Sequence, residues 1–462
     1  MIEALKRYKV DPNLIEVIAR IYSGDSTEVH IREDLSMEIE ISSGVRQGCS
    51  GSAVLFKMVV NMIIDEIDKK GNGFKNEKFR IAALFFADDG LILSEGISEA
   101  RETIKSVIEI SGRYGLEVSL KKSKVLIYNQ KEKPEKIENL KVVEEIKYLG
   151  VTVTDKKKLF DKHKREMMLK LQRMMNLTSS VIERSVNRML IGKTYWKSMV
   201  LPSILYASGV MDIRKGEVEK MQIFENSVLR RILRARSCAP ICALRSEVGV
   251  SLMVTRIMKG RLNYEDSLYC ERNTLLKEIY MEISEKKIGW NIVTREYRKE
   301  VGFSDKYERI GREIIRKRMR EWDSERWRKE LESKSSLEIY RTYKKEFGNE
   351  DVYDNRKESV LWCDARMNTM RLEKRNRFVG GSTACKLCDG GDEDLEHFLL
   401  DCSAIGRERA KIWQLQRPHQ EDRKEIVGSF LFDLRQVEQK KEDLWKLYRR
   451  RSEELRRREI CP

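Results

Sequence analysis

Residues 84–93 (LFFADDGLIL) constrain the fold of this chain most, because two apolar runs flank the sequence Asp88-Asp89-Gly90. An Asp-Gly pair between hydrophobic runs is a strong hairpin signal, since Gly tolerates the positive φ of tight turns. We therefore expect residues 79–94 to form two strands joined at the Asp-Asp-Gly turn, and we call this segment the acidic hairpin. A divalent cation would neutralise the adjacent carboxylates, although a solvated turn can carry the same residues.

Short strand patterns alternate with helical patterns around the acidic hairpin. Helical periodicity covers residues 5–21, 53–69 and 99–114, and strand patterns cover residues 29–31, 37–41, 125–128 and 146–153. After Leu159 the strand signals fade, and amphipathic basic helices such as residues 311–320 dominate. The pattern predicts an α/β or α+β domain that precedes a mostly α-helical region.

The charge balance favours a polyanionic partner. The chain has 462 residues and a net charge of +16, and a large positive field attracts nucleic-acid phosphates, although such charge also serves solubility. Residues 53–64 form the longest apolar run, but Lys57 and Asn61 interrupt it, and a membrane span needs about 18 apolar residues. The charged start resembles no signal peptide. We expect an intracellular protein of the nucleus or cytoplasm, without membrane partners.

Three of the 9 cysteines stand with a histidine in a pattern typical of a metal site. Cys385 and Cys388 form a tight pair, and His397 and Cys402 follow on an expected short helix at residues 395–400. Three thiolates and one imidazole are a closed tetrahedral set for Zn²⁺, and Gly390-Gly391 lets the chain fold back. The alternative is a set of scattered cysteines with a chance histidine. We call these four ligands the Cys/His cluster and expect it to bind zinc.

Four motifs in order resemble reverse transcriptases of non-LTR (LINE-type) retrotransposons. Residues 43–49 (SGVRQGC), followed by residues 55–56, resemble the region that supports the template and the incoming nucleotide. Residues 86–89 (FADD) resemble the catalytic hairpin, with Phe where Tyr is more usual. Residues 115–124 resemble the next motif, and residues 148–150 (YLG) resemble the primer-grip hairpin. The segments at residues 201–206 and 229–233 and the Cys/His cluster resemble the part of these elements that lies C-terminal to the palm.

This resemblance implies an RNA-directed DNA polymerase that uses two Mg²⁺ (or Mn²⁺) ions, an RNA template, a DNA primer or target and deoxynucleoside triphosphates. Asp88 would be the principal metal ligand and Asp89 its partner. Lys122 (or Lys124) would contact the triphosphate or protonate the leaving pyrophosphate, although a solvated basic surface is an equal interpretation. The residues implied to contact the nucleotide or base pair are Gly44, Arg46, Gln47, Gly48 and Phe86.

The chain departs from the family pattern in two places. Residues 1–45 contain no Asp-rich motif like the one that carries a further catalytic aspartate, and Gly51-Ser52-Ala53 replaces the usual Leu-Ser-Pro. We therefore expect a truncated copy without fingers, whose catalysis is uncertain. The alternatives are a catalytically inactive nucleic-acid-binding remnant and a maturase-like RNA-binding protein.

The resemblance implies an α+β fold, in which a partial palm with an antiparallel sheet and packed helices precedes a mostly α-helical region. Together with the periodicity, it divides the chain into five parts. They are a partial reverse-transcriptase palm (1–155), a helical thumb-like region (156–300), a basic helical linker (301–380), a CCHC zinc knuckle (381–405) and a charged C-terminal helix (406–462). The large aromatic residues of the helical parts are expected in helix packing rather than base stacking; they are Trp196, Tyr206, Trp322, Trp327 and Trp362.

Overall fold

The computed structural model describes residues 1–31, 34–35, 37–41, 44–130, 132–270, 274–286, 289–304, 308–388, 390–412 and 423–460. The chain divides into two compact units, residues 1–163 and residues 164–462. The first unit mixes helices with short strands, and the second unit is helical apart from one isolated bridge in its described residues. This confirms the predicted α+β class, whereas the five-part division stays a prediction.

The first unit contains four helices and thirteen short strands in its described residues. In chain order they are α1 (Ile2–Arg7), α2 (Pro12–Tyr22), β1 (Ser26–Thr27), β2 (His30–Ile31), β3 (Asp34–Leu35), β4 (Ile39–Glu40), α3 (Ser52–Lys69), β5 (Phe74–Lys75), β6 (Arg80–Ile81), β7 (Ala83–Phe86), β8 (Asp89–Ile92), α4 (Ile97–Arg113), β9 (Lys124–Leu126), β10 (Lys136–Ile137), β11 (Leu140–Val143), β12 (Glu145–Tyr148) and β13 (Val151–Thr154).

The second unit is built from helices that begin with α5, which crosses the boundary between the units. They are α5 (Asp161–Arg184), α6 (Arg188–Tyr195), α7 (Leu201–Leu205), α8 (Lys215–Leu233), α9 (Ile241–Val248), α10 (Met253–Cys270), α11 (Thr274–Glu285), α12 (Trp290–Glu300), α13 (Arg312–Glu332), α14 (Glu338–Tyr343), α15 (Lys357–Arg366), α16 (Gly406–Ile412), α17 (Arg423–Phe432) and α18 (Val437–Ile460). Two π-helical turns, Trp196–Val200 and His397–Asp401, interrupt this pattern.

The strands of the first unit pair locally. In the described residues, β10, β11 and β9 form a three-stranded sheet with β11 parallel to β9, and the other pairs are antiparallel and two-stranded. Within the described residues, several small ladders therefore stand in place of the single antiparallel sheet that was predicted. β7 pairs with β8, and β12 pairs with β13 in a hairpin whose turn residues Leu149 and Gly150 both have positive φ.

The acidic hairpin packs on two helices. Ala83 and Phe85 of β7 face inward onto buried Ile63 and Ile67 of α3 and Ile110 of α4. The intervening residues of β7 point to solvent, because successive strand residues alternate between faces. The hairpin thus has one face in the core and one face free for chemistry.

The predicted Asp-Asp-Gly turn is displaced toward the N terminus. Phe86 pairs with Asp89, so the two turn residues are Ala87 and Asp88, and Ala87 carries the positive φ of 53°. Asp89 begins β8, and Gly90 lies opposite Phe85 inside the ladder. Gly90 is required for a different reason: a Cβ there would lie 2.7 Å from Cε1 of the Phe85 ring.

Two expected helices are divided in the structure. The helix expected over residues 5–21 breaks into α1 and α2, because Pro12 cannot donate an intrahelical hydrogen bond and Asp11 caps α2 by accepting from Asn13 N at 2.8 Å. The single charged helix expected over residues 406–462 is wrong: the described part contains α16, α17 and α18.

The four tryptophans that were predicted to pack between helices are buried. Trp196, Trp327 and Trp362 are at most 1% exposed, and Trp322 is 8% exposed, which confirms their predicted packing role. Tyr206 differs, because its side chain is 53% exposed. Among the described residues, none of the helices combines the length and apolar character that a membrane crossing requires.

The contact between Gly90 and Phe85 generates the first prediction. Replacing Gly90 by Ala places a methyl group against the Phe85 ring, which the core holds in place. We expect the first unit to lose about 1–3 kcal/mol of stability, a usual cost of overpacking. Hydrogen exchange of the β7 and β8 amides measures this loss.

Gly112→Ala is the matched control in the same unit, because a Cβ at Gly112 in α4 meets nothing within 4 Å. This variant should keep or raise stability, since Ala is a better helix former than Gly. Equal protection of the hairpin amides in both variants would contradict the packing role of Gly90.

Candidate metal centres

The four side chains of the Cys/His cluster converge on one point. Their ligand atoms all lie within 4.8 Å of one another. The Sγ atoms of Cys385 and Cys402 are 3.9 Å apart, and Cys388 Sγ is 3.3 Å from His397 Nε2. A tetrahedral zinc ion would separate two sulfurs by about 3.8 Å and a sulfur from a nitrogen by about 3.5 Å. The cluster therefore has dimensions that suit such an ion.

A short β-bridge holds the two N-terminal ligands. Ala384 pairs with Asp392, Cys385 N donates to Gly391 O at 2.9 Å, and Glu393 N donates to Thr383 O at 2.9 Å. The chain reverses at Gly391, whose φ of 111° suits glycine. The predicted fold-back at the two glycines is present in the structure.

The two C-terminal ligands lie on a π-helical turn instead of the expected short helix at residues 395–400. Cys402 N donates to His397 O at 2.9 Å. In an α-helix, residues five apart would project about 140° from each other. The wider turn brings His397 and Cys402 to the same side, and π turns frequently occur at functional sites.

The thiols of the cluster have unequal acidities. Burial raises the pKa of Cys385, and burial together with the neighbouring thiols raises the pKa of Cys402 to about 12. Burial also opposes ionisation of Cys388, but hydrogen bonds from the Gly390 backbone and from Cys385 lower its pKa. A central cation would offset the mutual repulsion of three thiolates.

A buried ion pair supports the cluster from behind. Glu393 is 1% exposed, and its Oε1 lies 3.8 Å from Cys385 Sγ. Arg451 of α18 binds this carboxylate with both Nε, at 2.6 Å, and Nη2. Arg458 of the same helix donates to the carbonyls of Lys386 and Leu387 at 2.8 and 2.6 Å. Charge alone does not distinguish Arg451 from its basic neighbours, so the sequence analysis missed this support.

The carboxylates of the acidic hairpin are exposed at its tip. Asp88 lies in the turn, Asp89 begins β8, and Phe86 is 66% exposed beside them. Burial and the negative charge of Asp89 raise the pKa of Tyr148. The tip of the β12–β13 hairpin, predicted as a primer grip, therefore lies near the acidic hairpin. Across the part of the chain that the structure describes, no third Asp, Glu, His or Cys completes a metal-binding group with this pair.

The predicted nucleotide-binding loop follows β4 and leads into α3. Gly44 and Gly48 have φ values of 100° and 84°, which glycine adopts readily, and Gln47 is exposed in a turn. Arg46 forms two hydrogen bonds with Asp25, at 2.7 and 2.8 Å, and donates to Ile21 O. The structure thus gives Arg46 a role in anchoring the loop, which the sequence did not indicate. Ser43, the first residue of this motif, lies outside the described residues.

Lys122 is exposed in the turn before β9, where its backbone N donates to Ser119 O at 3.1 Å. Its proposed contact with a triphosphate stays a prediction. The metal-binding and nucleotide-binding roles of the other site residues are likewise predictions.

Comparison with known proteins identifies the first unit. Residues 1–153 match the family "Reverse transcriptase (RNA-dependent DNA polymerase)". A relative from Nasonia vitripennis, "Retrovirus-related Pol polyprotein from type-1 retrotransposable element R2", is 27% identical over 143 residues, which are 30% of this chain and 14% of the relative. The same kind of polyprotein from Bradysia coprophila is 24% identical over 272 residues, or 54% of this chain and 29% of the relative.

Residues 1–153 are thus similar to non-LTR reverse transcriptases. The match with the second relative is longer than this unit, so the similarity to R2 polyproteins also includes helical residues beyond it. The aligned parts are less than a third of either R2 polyprotein. The four predicted motifs of the reverse-transcriptase segment all lie within the matched residues 1–153.

The buried pair behind the Cys/His cluster generates the second prediction. Arg451→Met leaves the Glu393 carboxylate buried without its counter-charge, which typically costs about 3–5 kcal/mol. We expect hydrogen exchange at residues 383–404 to accelerate strongly. The pair of substitutions Arg451→Met and Glu393→Gln should recover part of the protection, because the uncompensated charge is gone.

Arg449→Met on the same helix is the control. Its partner Glu453 and Arg449 itself are exposed, and such surface pairs contribute about 0–1 kcal/mol. If Arg449→Met and Arg451→Met accelerate exchange equally, the buried pair does not support the cluster.

Proposed function

We propose that this chain is part of an RNA-directed DNA polymerase of a non-LTR retrotransposon, in which Asp88 and Asp89 hold the catalytic Mg²⁺ (or Mn²⁺). The observation that carries the proposal is the exposed carboxylate pair at the tip of a hairpin anchored on α3 and α4. The match of residues 1–153 to reverse transcriptases supports this role.

The two carboxylates occupy different positions on the hairpin. Asp89 is the cross-strand partner of Phe86, and side chains of paired residues lie on the same face of a ladder. Asp89 therefore belongs to the solvent face, while Phe85 on the opposite face anchors the strand. Asp88 lies in the turn and can approach an ion from another direction. When bound, two metal ions would stabilise the attacking and leaving oxygens of nucleotidyl transfer.

The proposed partners are an RNA template, a DNA primer or target and deoxynucleoside triphosphates. A net charge of +16 attracts their phosphates. Gly44 and Gly48 lack side chains, so the backbone of the 44–48 loop can approach a base pair or nucleotide closely. Lys122 would contact the triphosphate, and Arg46 would keep the loop in place through Asp25.

One observation favours a second candidate, a nucleic-acid-binding protein that does not itself polymerise. In the described residues the pair Asp88 and Asp89 lacks a third carboxylate. In the reverse transcriptases that this chain resembles, two-metal nucleotidyl transfer requires a further aspartate. The two candidates agree on nucleic-acid binding and differ in catalysis.

The third prediction distinguishes these candidates. The purified chain should bind an RNA–DNA hybrid with an affinity that falls steeply as salt rises, because binding releases counterions. Primer extension with Mg²⁺ should be weak or absent. Fluorescence anisotropy measures hybrid binding, and an extension assay measures polymerisation. When metal is absent, Asp88→Asn should bind the hybrid as tightly as the unmodified chain does.

Robust extension that Asp88→Asn abolishes would make the chain a polymerase by itself. Binding that is absent, or insensitive to salt, would eliminate both candidates.

We also propose that the Cys/His cluster binds one Zn²⁺, which would suit an intracellular protein with reduced thiols. The distances between the four ligand atoms support a tetrahedral ion. So short a segment gains much of its folding free energy from such an ion. Zinc here would be structural, since four protein ligands leave no open position.

The fourth prediction concerns this zinc site. Elemental analysis of the purified chain should find one zinc per chain, and Cys388→Ser should lose it and increase exchange at residues 383–404. Cys238→Ser is the control, because Cys238 is exposed and outside the cluster. Absence of zinc from the unmodified chain would refute the assignment.

A further inference from the structure

A pocket of about 290 Å³ in the second unit is lined by four arginines. Arg188 begins α6, and Arg230, Arg231 and Arg234 belong to the end of α8. The end of α5 closes the pocket and contributes one carboxylate, Glu183. We call this site the basic pocket. Positive charge is concentrated here beyond what the single carboxylate can neutralise.

Arg188 is the unusual member, because it is 2% exposed and incompletely paired. Its Nη2 donates to Asp354 O at 3.1 Å, while Nε and Nη1 have no partner among the described residues. Burial lowers the pKa of Arg188, and the positive charge of Arg234 lowers it further. A buried donor without an acceptor is destabilising. A bound ligand with acceptor oxygens would satisfy the two such donors on this guanidinium.

The nearest carboxylate does not supply the missing acceptor. Asp354 accepts hydrogen bonds at Oδ1 from Arg356 N and Ser359 Oγ, and at Oδ2 from Arg356 Nε. The Asp354 carboxylate attracts Arg188 electrostatically, but its oxygens accept hydrogen bonds from other donors. Arg188 therefore keeps its free donors in a pocket that other arginines line.

The remaining arginines have partly satisfied donors. Arg230 has an unpaired buried Nε among the described residues, and its Nη2 lies 3.5 Å from Ala239 O. Arg231 donates to Ser179 Oγ. Helix C termini attract cations, which accounts for basic residues at the end of α8. That attraction does not account for Arg188, which stands at the N terminus of α6.

We propose that the basic pocket binds a backbone phosphate of a nucleic-acid strand. A phosphodiester supplies several acceptor oxygens, and guanidinium groups bind phosphate through charge-assisted, often bidentate hydrogen bonds. The unpaired atoms of Arg188 and Arg230 would then be satisfied by a single group. The proposal rests on the proposed nucleic-acid-binding function and assigns one of its contacts to the helical unit.

The test compares Arg234→Gln and Arg188→Gln with the unmodified chain. A short fluorescein-labelled RNA–DNA hybrid is titrated at several salt concentrations. Each variant should weaken hybrid binding roughly tenfold, as expected for loss of a hydrogen bond to a charged group. Each should also lower the slope of log affinity against log salt by about 1, the value for one phosphate contact.

Arg173→Gln is the matched control, since it removes the same charge from an exposed position on α5 outside the pocket. It should leave the salt slope unchanged. Arg188→Gln removes an incompletely paired buried charge, so its unfolding temperature should be no lower than that of the unmodified chain. If Arg188→Gln instead weakens binding because the variant is misfolded, its unfolding temperature should be lower than that of the unmodified chain. Arg234→Gln alters an exposed side chain and therefore tests the pocket independently.

Two results separate this inference from the proposed function. If the unmodified chain does not bind the hybrid, the proposed function and the inference both fail. If it binds, but Arg234→Gln and Arg188→Gln match Arg173→Gln, the inference alone is wrong. Stabilisation by inorganic phosphate that Arg234→Gln removes, with hybrid binding unaffected, would make the pocket a site for free phosphate and would likewise overturn it.

Discussion

The contact of the Phe85 ring with Gly90 determines what the acidic hairpin can present. Phe85 and Ala83 enter the core between α3 and α4, and Gly90 leaves room for the ring across the ladder. A slip of one residue in a strand exchanges its two faces. Such a slip would turn Asp89 toward the apolar core, where an unpaired carboxylate is strongly unfavourable. The register that buries Phe85 is thus the register that exposes the carboxylate.

The helical unit depends on a different principle, because many of its buried contacts are ionic. Arg245 pairs with Asp323 at 3.2 Å and Arg298 pairs with Glu265 at 2.7 Å, and all four side chains are at most 3% exposed. Such pairs are weak evidence for stability, but each removes a charge that would otherwise be buried alone. By contrast, Nε and Nη1 of the buried Arg188 have no partner among the described residues.

The sequence predicted the features that depend on local periodicity and spacing. The apolar runs around Asp-Asp-Gly identified the strands of the acidic hairpin, and the spacing of Cys385, Cys388, His397 and Cys402 identified a cluster that the structure brings together. The predicted position of the turn was wrong. The Asp-Gly signal is local, whereas the packing of the Phe85 ring against Gly90 places this glycine inside β8. The helical pattern over residues 5–21 extended across Pro12, although the Asp11-Pro12 pair marks a helix boundary in the sequence.

Long-range charge contacts were beyond the reach of sequence. Arg46, Arg188 and Arg451 have the same side chain, yet one anchors a loop, one faces a pocket and one neutralises a buried carboxylate. Composition gives their charge, and periodicity assigns Arg188 and Arg451 to helices, but neither identifies the partner. The residues that sequence analysis singled out are therefore those with distinctive local patterns.

The ion pair between Glu393 and Arg451 affects the order in which the chain folds during synthesis. The two residues are 58 positions apart, and domains generally begin to fold while the chain emerges from the ribosome. The Cys/His segment emerges first, while the arginine that neutralises Glu393 is still untranslated. Until α18 leaves the exit tunnel, the nascent cluster carries an uncompensated carboxylate beside Cys385. The Glu393–Arg451 pair therefore forms late, after α18 has left the ribosome. If a ribosome stalls before it has synthesised α18, the Cys/His segment stays without the arginine that neutralises Glu393.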